Sequence, residues 1–383
     1  MRPQRQPGSR PRAMSRSLLV DPDLAAATRL IAQAGLFEKR PAFYGRKFAE
    51  VAVLLAVVLA AMANFDSLAV RLAAAVLLAL TFTQIAYLGH DAGHHQIFRQ
   101  RRHNDWFGVV IVNLFIGLSY EWWVEKHTQH HDHANDLDHD PDIQFPLMVF
   151  DPQQLARPRS AVQIFCIRHQ ALLFFPLLTL LPYSMKWDSA QHVARPGARF
   201  RRAEIVLLLA HGLLLTWAAI GLLGVAHGVA FLLVNQAAFG VLLGSAFAAN
   251  HKGMPMLQAL EEKSYFRQRV ATARNLRAHP LTGYLYGGLD CQIEHHLFPM
   301  LPRHNLRRAA PLVRKYCAER GVTYYETGMV EAYAEIFQHL HAVSAPLRVA
   351  PLKKPSCRPI RDDIFSWTMA RGRGRASKWS RPT

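Results

Sequence analysis

Residues 49–95 read AEVAVLLAVVLAAMANFDSLAVRLAAAVLLALTFTQIAYLGHDAGHH, and the fold turns on how this stretch is understood. The apolar block Ala49–Leu88 breaks near Asn64–Ser67. One membrane crossing needs about 20 residues, so the block has the length of two crossings joined by a tight turn, a helical hairpin. A second block, Ala203–Ala249, breaks near Gly224–Gly228 in the same way. The expected fold is an all-α integral membrane protein with four transmembrane helices in two hairpins. A shorter apolar run, Ala171–Leu181, includes Pro176 and ends at Pro182. It reads as an interfacial or half-buried helix rather than a fifth span.

Charge placement supports this count. The chain of 383 residues is 51% hydrophobic and has a formal net charge of +18. Nearly all of its basic residues lie outside the hairpins, although Arg71 sits just inside the second span. By the positive-inside rule, both termini and the long central segment face the cytoplasm. Nucleic acid is the other obvious partner for so basic a chain. Membrane topology and anionic lipid surfaces already account for the charge, so no nucleic-acid partner is expected.

The ends read differently from the middle. Residues 1–17, MRPQRQPGSRPRAMSRS, lead into no short apolar core with a cleavage site, so no signal peptide is expected. Residues 1–40 read as a basic, largely disordered segment in which Met14 is an alternative start. Residues 341–383 read as a second basic, Pro/Gly-rich disordered tail. The membrane domain is then 41–340. Cys166, Cys291, Cys317 and Cys357 form no CxxC pair and fit a reducing compartment.

The chain has 20 histidines, and their positions matter more than their number. His90, His94 and His95 follow the second span directly. His127, His130 and His131 form a second cluster, and Gln292, His295 and His296 a third, after the fourth span. On a helix, residues at i, i+3 and i+4 share one face. The second and third clusters therefore each project together; His90 and His94 share a face, with His95 at its edge. An even number of crossings separates the clusters, so all three emerge at one membrane surface as a histidine-rich cap. Neutral imidazole binds Fe, Zn, Cu and Ni alike. Eight histidines exceed the needs of one tetrahedral zinc and suit two metal ions with open positions. His251, just past the fourth span, is a ninth histidine ligand, and Asn250 beside it would hydrogen-bond a metal-bound water. Asp91, Asp132, Asp138, Asp140, Asp142 and Glu294 are acidic neighbours able to orient imidazoles. His133 and His139 adjoin the second cluster without an assigned part.

Three boxes, HDAGHH (90–95), HTQHH (127–131) and QIEHH (292–296), resemble those of the membrane fatty acid desaturases. The resemblance spans about residues 40–340 and extends to WW before the second box, DHDPDI after it and LFP after the third. It implies a di-iron centre, O2 as co-substrate and a fatty acyl substrate carried as acyl-CoA or acyl-lipid. Gln292 in place of a histidine is the pattern of the front-end desaturases, and makes Gln292 a site residue. No His-Pro-Gly-Gly haem motif of a fused cytochrome b5 domain is found. Electrons are then expected from a separate ferredoxin or cytochrome b5 with its reductase.

Two rival readings differ in class. A hydroxylase or ketolase on the same scaffold would return oxygen to carbon instead of removing a second hydrogen. A non-enzymatic metal transporter would hold its ligands near the bilayer midplane, whereas these clusters stand at helix ends. A zinc protease is disfavoured because no HExxH pattern occurs.

Overall fold

The computed structural model describes residues 21–261 and 264–349. Met14, Cys357, the first half of the expected N-terminal segment and most of the expected C-terminal tail lie outside the described residues.

The chain begins with a short amphipathic helix, α1 (Pro22–Gln33). Its N-cap is Asp21, whose carboxylate accepts from the Asp23 and Leu24 amides. Leu24, Ala27 and Ile31 face inward and pack with Phe266, Leu301 and Leu306. Part of the segment expected to be disordered is therefore helical, held by an apolar face too short to stand out in a basic sequence.

The apolar blocks form helices that run beyond the apolar residues. The first hairpin is α2 (Pro41–Asn64) and α3 (Leu68–Gly93). After it, α4 (Arg101–Ile111) continues into one wide turn, Val112–Ile116, and stops at Gly117 with φ +73°. The chain then reverses into α5 (Tyr120–His133). Next come α6 (Ala161–Arg168), α7 (Gln170–Leu178) and α8 (Leu181–Ala194). The second hairpin is α9 (Arg201–Leu223) and α10 (Val225–His251), joined through Gly224 at φ +77°. A residue with a Cβ resists that left-handed backbone.

Among the described residues, four helices are long and apolar enough to cross a membrane. The bent pairs α4–α5 and α6–α7, with kinks of 108° and 105°, raise the count to six if each is one span. The most apolar windows of α3 and α10 are 56% and 44% buried, against 17% and 11% for α2 and α9. The central layer is thus α3 against α10, and the outer pair turns residues such as Val57, Leu213 and Trp217 outward. Arg71 joins the two hairpin tips. Its guanidinium reaches Asp66 Oδ1 at 2.8 Å, Phe65 O at 2.9 Å and His227 Nδ1 at 2.6 Å. A charge at this depth is tolerated only when paired or led to the surface. Both tips therefore lie at one end of the bundle, and the histidines at the other.

The reversal after α4 was not legible as an apolar block, yet it is tightly built. Buried Glu204 of α9 accepts from Ser119 Oγ at 2.6 Å, the Glu121 amide at 2.9 Å and Asn113 Nδ2 at 3.3 Å. Non-helical backbone at membrane depth needs such partners. A Cβ on Gly117 would sit 2.3 Å from the His211 ring, so only glycine lets the turn pack there.

The cap is completed by α11 (Tyr265–Ala271), β1 (Asn275–Leu276), α12 (Pro280–Leu285), α13 (Gln292–Leu297), α14 (Arg303–Glu319) and β2 (Glu326–Thr327), with β1 and β2 parallel. The described chain closes with α15 (Met329–Val343) and α16 (Ala345–Val349). Helical structure thus passes the expected domain end at 340. The run Ala171–Leu181 is split between α7 and α8. Ala171, Phe174 and Leu177 of α7 are buried against Ala248 and α15, while Leu172 and Phe175 face outward.

Candidate metal centre

Four elements deliver side chains to one place at the end of the bundle. His90 lies in the last turn of α3 and His94 caps that helix; α5 carries His127, His130 and His131. Asn250 and His251 are the last two residues of α10, inside the helix rather than past it. On α13 the i, i+3, i+4 spacing holds, with Gln292, His295 and His296 all buried in one short helix.

These side chains form two groups. His90, His94, His127, His131 and His295 bring their ligand nitrogens within 4.8 Å of one another, and so do His130, His251 and His296. Nε2 of His131 stands 3.0 Å from those of His127 and His295, that of His90 3.1 Å from His295, and that of His127 3.0 Å from His94. In the second group Nε2 of His251 and His296 are 3.1 Å apart. The neighbouring pairs 130/131 and 295/296 are each divided between the groups. Successive residues on a helix point about 100° apart, so each pair straddles two centres instead of serving one.

The hydrogen bonds around the rings decide which nitrogen is free. His130 Nδ1–H donates to Asp140 Oδ1 at 3.0 Å, His251 Nδ1–H to Thr272 O at 2.9 Å, and His90 Nδ1–H faces Asp91 Oδ1 at 3.5 Å. Each of these imidazoles therefore turns an unprotonated Nε2 inward, as a metal requires. Asp91 is itself held by Arg303 Nε at 2.7 Å. Burial first, then the neighbouring imidazoles, pulls His295 and His296 well below the usual histidine range. Both stay neutral at pH 7. Lone pairs aimed at one another 3.0 Å apart repel; with metal–nitrogen bonds of about 2.1 Å, two ligands at right angles stand about 3.0 Å apart. The donor set and its spacing fit two metal ions.

Three candidate residues behave differently from the rest. His95 joins neither group: its backbone turns to φ +55° just after α3, and its Nε2 faces Asp105 Oδ1 at 3.3 Å. Gln292 sits beside the second group with its amide nitrogen 2.9 Å from His251 Nε2. Asn250 donates to Ala246 O at 3.1 Å and Gln292 Oε1 at 3.2 Å, and its buried Oδ1 has no protein partner among the described residues. Half a turn of the Gln292 amide would present its oxygen to His251 Nε2, at the loss of the bond from Asn250. Of the acidic neighbours, Asp91, Asp140 and Asp142 reach imidazoles. Glu294 faces the other way, accepts from Asn275 and Tyr324, and is pushed up to about 7 by burial. Thr272 and Arg303 carried no signal in the sequence, because their part depends on loops that approach from far along the chain.

The family model of the fatty acid desaturases matches residues 66–328, a stretch that contains both groups. The chain belongs to the fatty acid desaturase family. It is 29% identical over 333 residues to an acyl-lipid (9-3)-desaturase of Physcomitrium patens, covering 84% of this chain and 62% of that one. It is 30% identical over 287 residues to the Delta(6)-fatty-acid desaturase fat-3 of Caenorhabditis elegans, covering 70% and 63%. To fatty acid desaturase 3 of Bos taurus it is 30% identical over 336 residues, covering 83% and 72%. The chain thus spans less than two thirds of the length of the first two.

Two cavities differ in their relation to this site. The larger, about 720 Å³, opens among α8, α9 and α10 around Lys186, His211 and Leu233 and touches none of the grouped histidines. A narrower void reaches His90 itself. Tyr87, Leu118, Trp123, Met185, Leu243 and Phe247 line it. Trp123 also stacks on His127, with centroids 4.6 Å apart and planes 18° apart. Of the two, only the narrow void meets a grouped histidine.

Proposed function

We propose that this chain is an O2-dependent di-iron desaturase that introduces a double bond into a fatty acyl chain presented as acyl-CoA or acyl-lipid. The observation that carries the reading is the pair of histidine groups, with a small apolar void of about 20 Å³ against His90. His90, His94, His127, His131 and His295 would hold one iron, and His130, His251 and His296 the other, with Gln292 and Asn250 beside it. Bound iron would activate O2, the oxidant that no side chain can replace: one O2, two external electrons, two protons and two hydrogens from adjacent methylenes give an alkene and two waters.

The residues of the chain do the rest. Asp91, Asp140 and Thr272 O keep their imidazoles in the ligating tautomer. Tyr87, Leu118, Met185 and Phe247 line the void against His90, and their movement apart would open a largely apolar path to hold an acyl chain there. The names of the relatives support an acyl-lipid or fatty-acid substrate. The cap is proposed to face the cytoplasm, where a separate ferredoxin or cytochrome b5 would deliver electrons.

Expression in a host rich in mono- and di-unsaturated fatty acids, with that donor co-expressed, tests the reading. A new acyl chain lighter by two hydrogens, absent with His296→Ala, is expected. A product heavier by one oxygen would move the assignment to a hydroxylase.

A further inference from the structure

A third set of metal-ligating side chains lies outside the buried groups. His133 ends α5, and Asp136 and His139 belong to the turn that follows; one ligand atom from each lies within 4.8 Å of the others. We propose that His133, Asp136 and His139 form a surface site for an exchangeable divalent metal ion of the zinc type.

The carboxylate is already oriented. Asp136 Oδ1 accepts from the Asp138 amide at 2.9 Å, the His139 amide at 3.3 Å and Gln258 Nε2 at 2.8 Å. Those bonds are what a polar turn needs, and they use only one oxygen. The other, Oδ2, lies 3.1 Å from His139 Nδ1 and 3.7 Å from His133 Nδ1. The two rings come within 5.0 Å of each other, with planes 32° apart. Turn geometry accounts for Oδ1, and a hydrogen bond from His139 Nδ1–H accounts for its approach to Oδ2. The convergence of His133 Nδ1 on the same oxygen at 3.7 Å is the contact left over, and a cation that replaces the His139 proton would be shared by all three side chains.

Two imidazoles and one carboxylate favour zinc, nickel, copper or cobalt over magnesium or calcium, which prefer all-oxygen sets. Three ligands leave room for water. The histidine side chains are 44% and 57% exposed, so the ion exchanges with solvent, unlike one held in the buried groups. The same turn carries Asp140, which accepts from the Asn135 amide at 2.8 Å and holds His130. An ion bound across 133–139 therefore braces the segment that orients one imidazole of the buried site.

The test uses the full chain in detergent, equilibrated with Zn2+ by dialysis, with bound zinc counted for the wild type and for His133→Ala/His139→Ala. Whatever metal the buried groups hold is common to both proteins, so the wild type is expected to bind one more zinc per chain. Zinc is also expected to slow amide exchange across 134–140 in the wild type alone. Equal zinc in the two proteins overturns the proposal, and so does unchanged exchange in that segment. His139→Arg, which leaves α5 untouched, is expected to lose the same single zinc and replaces the double variant if that misfolds.

Discussion

His130 ligates nothing usefully unless its ring is turned the right way, and Asp140, ten residues later, turns it. Both are buried, and Asp140 also ties down the Asn135 and Asp142 amides at 2.8 and 2.9 Å. Asp140→Asn keeps the shape and removes the charge that secures Nδ1–H. Metal retention or product formation is expected to fall about 10–100-fold, while Asp132→Asn on the exposed face of α5 leaves both unchanged. Equal behaviour of the two variants in metal analysis would count against a positioning part for Asp140. At this scale the sequence was readable for the histidines, because helical spacing puts i, i+3 and i+4 on one side. It was silent on their division. Whether His130 and His131 serve one centre or two depends on where α10 and α13 come to rest, and His95 leaves the set through one backbone angle past the helix end.

Among the elements, α1 shows how a short helix can escape notice and still matter. Asp21 receives Phe266 N at 2.8 Å and Ser264 Oγ at 2.8 Å besides its own first turn, so one carboxylate caps α1 and pins it to α11. Burial alone would raise its pKa, but these donors outweigh burial and hold it below the usual aspartate value of 3.8. A depressed carboxyl contributes stability that is present above pH 3.8 and is lost as pH falls through the lower folded value. Protection of the 22–33 amides, taken relative to the intrinsic exchange rate at each pH, is therefore expected to fall on acidification below about pH 4. Asp21→Ala, at a cost of about 1 kcal/mol, should show the lower protection already at pH 7. An identical pH profile for the two proteins would remove Asp21 from this account. The long spans were legible by their length alone. The reversal at Gly117 was not, since its stability comes from Glu204 and His211 on a helix some 90 residues away.

For the molecule as a whole, the hairpins set the sides of the membrane. With the tips at Asp66 and Gly224 on one side and the cap on the other, a cysteine introduced at Asp66 is expected to react with an impermeant maleimide added outside intact cells. One introduced at the exposed Glu319 should react only after lysis. The reverse pattern would invert the proposed orientation and move the electron donor to the other compartment. The way the cap is assembled also fixes an order of events during synthesis. His90 meets His295 across 205 positions, His131 meets the same residue across 164, and His251 meets His296 across 45. The first two boxes have long since left the ribosome before α13 exists. The first group lacks a nitrogen until residue 295 has been made and packed, and the second until residue 296, so the last strongly apolar span is threaded before either group can close. On the proposed reading, a chain that reaches the membrane truncated before His295 and His296 carries an open, incomplete centre.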